Sequence, residues 1–200
     1  MMQGFAGGLL TMRGAPCAMH RDDSGMAAAE MALIMPVALL IMSLIVFGGQ
    51  AFGVQRKVTL AATAVADIFA QANNNGSATI TAAELNQILG YPSLILYPYS
   101  GSGVQVEVSQ LQITTQNGST IGTVVGSWAN ANGTARPIGQ QLPIDPDVAA
   151  AFTGAAASYI VLGEVQYPFH PTGIYVSLGP FTLHDSIMMI PRTAAEITVQ

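Results

Sequence analysis

Few side chains in this sequence could do chemistry, and Glu30 raises the sharpest question. It stands at the start of a stretch that carries no further charge until Arg56. A carboxylate at the edge of a membrane-length apolar run is costly and needs a reason to be there. Gly25 lies five residues before it. The histidines are His20, His170 and His184. His184 and Asp185 are adjacent on what reads as a strand, so their side chains point to opposite faces and cannot converge on one metal. Asn73 to Glu84 has the length of a twelve-residue calcium loop, with Ile80 in the middle and Glu84 at the end. Asn73, Asn75 and Ser77 stand where carboxylates usually dominate, and Ala78 replaces the turn glycine. A helix stop followed by a Thr81–Glu84 capping box is the better reading. No nucleophile stands with its base, so no catalytic residue, metal ligand or cofactor is assigned and the chain does not read as an enzyme.

The element that must position Glu30 is apolar. Met31 to Gln55 has no charge, and Met31 to Gly49 is almost entirely Leu, Ile, Val, Met, Ala and Phe. About 20 such residues cross a bilayer as a helix, which places a span at about 31–50. Pro36 interrupts this run near its start and predicts a kink. A cleaved secretory signal would have an apolar region of roughly 7–15 residues; this one is longer and starts late, although Gly49-Gln50-Ala51 resembles a small-x-small cleavage site. Arg13 and Arg21 before the span balance Arg56 and Lys57 after it, so charge counting leaves the orientation open.

Beyond the span, Val54, Val58, Ala61, Val65, Ile68 and Ala72 recur at three- and four-residue spacing. That spacing predicts an amphipathic continuation, one helix over 26–72 of roughly 70 Å at 1.5 Å per residue. Asn73-Asn74-Asn75-Gly76 would end it. The capping box predicts a second helix over about 82–89, with Gly90 as its C-cap.

From Val104 the period changes to two. Val104, Val106 and Val108 alternate with Gln105 and Glu107, and beyond a bulge Leu111 and Ile113 continue the pattern. Asn117-Gly118 predicts a hairpin into a return strand over 121–128, and Asn132-Gly133 another turn. Residues 137–154, holding Pro137, Pro143 and Pro146, read as a long irregular connection. Strands are expected over 158–169, 174–178 and 181–190. The fold class is α+β: a long helix packed on an antiparallel sheet of four to five strands. Residues 73–200 would form the polar domain.

The totals agree with an anchored domain. Charged residues make up 8% of the chain and mean hydropathy is +0.45, unusual for a soluble globular protein. The net charge is −5, and the few Lys and Arg are too scattered for a nucleic-acid surface. Cys17 is the only cysteine, so no intrachain disulfide is possible.

Gly25-Met26-Ala27-Ala28-Ala29-Glu30, directly before the span, resembles a type IV prepilin processing site. The run continuing through Met35-Pro36 is similar to TadE/TadG-like minor pseudopilins of tight-adherence (Flp) pilus systems. So are Gln55-Arg56-Lys57-Val58 through Ile68, Val161 to Phe169, and Ser186 to Arg192. The resemblance implies a leader over 1–25, removed by a prepilin peptidase between Gly25 and Met26. It implies that Glu30, fifth in the mature chain, pairs with the new α-amine of a neighbouring subunit and sets its register. A snorkelling interfacial glutamate is the competing reading. The implied role is pilus assembly among other pilin subunits and the bilayer, from the bacterial inner membrane with the polar domain periplasmic. The alternative is an uncleaved single-span protein with an outer binding or scaffold domain.

Overall fold

The computed structural model describes residues 24–72, 77–116, 119–144, 148, 150, 159–171, 180–192 and 196–200. Everything before Ser24, including His20 and Cys17, lies outside the described residues. So do the Asn73–Gly76 stop, the Asn117–Gly118 turn, the strand expected over 174–178 and most of 145–158. Two compact units are present, divided between Ile41 and Met42.

Helix α1 (Ser24–Ala70) runs without a break through Pro36. Apolar, unbranched and small residues give it high propensity, and in lipid a helix satisfies its own backbone. It is the one helix among the described residues long and apolar enough to cross a membrane. In its later part Val54, Val58, Ala61, Ala62, Val65, Ala66 and Phe69 are fully buried. Ile68, expected in that stripe, is more than a third exposed, and Phe69 takes its place. The steps 65-68-72 and 65-69-72 are equally helical, so spacing alone could not choose between them.

The short strand β1 (Thr79–Ile80) leads into helix α2 (Ala82–Ile95). The capping box is formed: the Glu84 backbone N–H donates to Thr81 Oγ1 (3.2 Å) and the Thr81 N–H to Glu84 Oε2 (2.9 Å). The helix does not stop at Gly90. It continues through Pro92, whose side chain is buried beside Leu85, Ile88 and Leu89, and ends at Ile95 with Leu96 as its C-cap. Tertiary burial of that face outweighs the glycine and proline signals.

Strands β2 (Gln105–Gln116), β3 (Ser119–Ala129), β4 (Gln141–Pro143), β5 (Tyr159–Phe169) and β6 (Phe181–Met189) form one antiparallel sheet in the order β4-β3-β2-β5-β6. The architecture is therefore α+β, with a five-stranded main sheet among the described residues. Within the expected irregular connection, β4 pairs with β3 through Ile121–Pro143, Gly122–Leu142 and Thr123–Gln141. The last strand, β7 (Thr198–Val199), pairs in parallel with β1.

The bulge lies where the pattern of β2 changes, but the extra residue is on the other strand. Gln110 faces Gly126 and Leu111 faces Val124, which leaves Val125 unmatched in β3, while β2 pairs with β5 without interruption. Leu111 therefore does not rejoin the face of Val106 and Val108. It joins Val124, Ile144 and Leu162 in a second, smaller cluster.

Candidate functional site

Gly25, Met26, Glu30 and Pro36 all lie on α1, and the first unit holds all four. Residues 25 to 42 are exposed throughout, a run of Met, Leu, Ile, Val and Ala with Glu30 as its only charge. Such a surface suits lipid or another apolar helix rather than water. A Cβ added at Gly25 would meet nothing within 4 Å, so no packing explains the glycine among the described residues. No ion pair among the described residues engages Glu30. The first turn of α1 holds no acidic residue, and Glu30 is the seventh residue of the helix. It therefore gains little from the helix dipole, which acts over the first turn. At Pro36 the missing N–H leaves the Ala32 carbonyl without its usual intrahelical donor.

In the second unit, α1 is fastened to the sheet. Gly163 on β5 lets the helix come close: a Cβ there would stand 2.9 Å from Ala66 Cβ and 3.1 Å from the Ala62 carbonyl oxygen. Gln55 Nε2 donates to the His184 carbonyl at 3.2 Å, and the Thr59 hydroxyl donates to Asp185 on β6. The Arg192 backbone N–H donates to the Ala70 carbonyl at 2.9 Å, and its guanidinium lies 3.4 Å from Asp67. Phe69 meets Trp128 at 5.4 Å between ring centroids. The later part of α1 thus packs on β5 and β6.

The opposite face of the sheet carries a polar cluster. Arg136 reaches across to Glu164, with Nε at 3.1 Å from Oε2, and to Glu107 at 3.2 Å. Burial disfavours the Arg136 cation, but the bond and charge of Glu164 together with the charge of Glu107 outweigh it and raise its pKa. Ser109 and Ser127 donate to Glu107 Oε1 at 2.9 and 3.1 Å. His184 Nε2 stands 3.5 Å from Glu164 Oε1, while Asp185 lies on the helix side, so the two neighbours do point apart as expected. Sequence reading missed this cluster. The signal available was Glu164, a carboxylate inside an apolar strand, which demands a cation. Glu84, the one carboxylate of the calcium-loop-like stretch, is held by Thr81. Bonds from the Thr81 backbone and hydroxyl lower its pKa, with burial opposing weakly. Among the described residues no group of three or more His, Cys, Asp or Glu could hold a metal.

The described residues thus combine one long apolar helix, a small antiparallel sheet packed on its later part and a lone glutamate near the helix start. The family model described as TadE-like protein matches residues 25–67, which is α1 almost entire, so the long helix of this chain is similar to that family's. No curated protein and no solved structure matches the chain.

Proposed function

We propose that this chain is a minor pseudopilin of a tight-adherence pilus, cleaved after Gly25 by a prepilin peptidase and inserted into the assembly through its N-terminal helix. The observation that carries the reading is the position of Gly25 and Glu30 at the head of the TadE-like match, directly before an exposed apolar helix. Cleavage would free an α-amine on Met26, four residues from Glu30. A carboxylate entering hydrocarbon without a cation is expensive, so pairing with the amine of a neighbouring subunit favours one register over others. A kink at Pro36 would let the first turns adapt to that neighbour. The mature helix would sit in the inner membrane with the sheet domain on the periplasmic side, and the protein would prime or cap the fibre.

The test is a Glu30→Ala variant in piliated cells. It should be processed like the wild type and accumulate in the membrane, yet fail to support normal piliation. Normal piliation by a processed Glu30→Ala protein would remove the role given to Glu30. A chain that keeps residues 1–25 while supporting piliation would instead favour an uncleaved single-span scaffold.

A further inference from the structure

The uncharged stretch between Glu84 and Glu107 covers most of α2 and the loop after it. It presents Leu94 and Tyr97 to the outside at 70% and 78% exposure. Singly exposed apolar side chains are ordinary, so what marks this pair is its place beside α1. Their place in the second unit is fixed by Lys57 on α1. Its ammonium donates to the Tyr97 carbonyl and lies 5.6 Å from the centre of the Tyr99 ring. Lys57 follows the uncharged run of α1 by only two residues, with Arg56 beside it and Phe52 exposed at 76% one turn earlier. Side chains on a helix lean toward its N-terminus, so the Lys57 ammonium is carried back toward the apolar run. Tyr97 is therefore held level with the end of that run.

We infer that the Leu94–Tyr97 surface, together with Phe52, Arg56 and Lys57, lies in the headgroup layer of the bilayer beside the exit of α1. This rests on the reading of α1 as a membrane span. Three features favour lipid over a protein partner. Phe52, Arg56 and Lys57 continue directly from the exposed apolar run of α1, and Lys57 joins Tyr97 to them. Its composition is that of an interfacial belt, a tyrosine with a polar tip beside apolar side chains. Its only charges are cations, which suit anionic headgroups, and no acidic residue occurs between Glu84 and Glu107. The contact would make Lys57 a spacer that sets how close the sheet domain stands to the membrane before the subunit is drawn into a fibre.

The experiment uses the full chain with Cys17→Ser, one chain per nanodisc of phosphatidylethanolamine and phosphatidylglycerol. Single cysteines at Leu44, Leu94, Tyr97 or Gln166 carry a nitroxide. Collision rates with oxygen, which concentrates in lipid, and with a water-soluble nickel complex are compared. The ratio of oxygen to nickel collisions at positions 94 and 97 should be several-fold above that at 166 and below that at 44. A lipid value at 44 with water values at 94 and 97 overturns the inference and leaves the span intact. Shielding of 94 and 97 from both reagents assigns the surface to protein and also overturns it. A water value at 44 removes the span itself, and the inference with it.

Discussion

Glu30 is informative because its helix offers it nothing. It lies beyond the first turn, where the helix dipole has faded, and no cation among the described residues engages it. Glu84 is the opposite case, a carboxylate whose local chain supplies both donors through Thr81. Its lowered pKa means that its contribution to α2 is fully present above the ordinary glutamate range. That contribution is lost as pH falls through the folded value. Protection of the first-turn amides of α2, meaning exchange relative to the intrinsic rate at each pH, should fall on acidification through that range in the wild type and change less in Glu84→Gln. Thr81→Ala should cost about 1 kcal/mol of stability in denaturant titration, as loss of an N-cap does. Arg136 answers a different need, holding two carboxylates that the sheet places side by side. Arg136→Met should destabilise the domain by about 1–3 kcal/mol, because Glu107 and Glu164 lose their shared cation. Adding Glu164→Gln to that variant should recover part of the loss, and a thermodynamic cycle on the four proteins measures how much.

At the scale of elements, what was legible followed from period and from single punctuating residues. The long helix, the capped start of α2, and strands β2, β3, β5 and β6 can all be read from spacing. So can the opposition of His184 and Asp185. The errors have physical causes. Gly90 and Pro92 signal a stop, but α2 buries Pro92 with three other side chains and runs on to Ile95. Leu111 breaks the alternation of β2 because a second apolar cluster lies on the other face, while the extra residue sits at Val125 in β3. Strand β4 lies among prolines and depends on Leu142 packing against the Leu111, Val124, Ile144 and Leu162 cluster and on pairing with β3. Gly163 was legible in principle, since a glycine within an apolar strand marks a close approach. Its partners, Ala62 and Ala66, are about a hundred residues away and could not be named from sequence. Gly163→Val should push α1 off β5 and cost about 1–3 kcal/mol, the usual effect of overpacking. A lowered denaturation midpoint with an unchanged slope would register it.

The whole molecule joins a helix built for an apolar surrounding to a sheet domain that holds the later part of that helix tightly. Phe69, Val65 and Val58 have no exposure, and the pairs Gln55–His184 and Thr59–Asp185 tie the same helix to β6. In the proposed role, a chain held this way could be moved by its helix without unfolding its domain, which suits assembly into a fibre. The family match covers the helix and stops at residue 67, so the proposed assembly role rests on the helix. The most direct measurement is the mature N-terminus, by mass spectrometry of protein extracted from membranes of cells with and without an active prepilin peptidase. The account predicts Met26 as the first residue when the peptidase is active, and a chain that still includes Gly25 when it is not. A chain that retains Gly25 in the presence of active peptidase would contradict it.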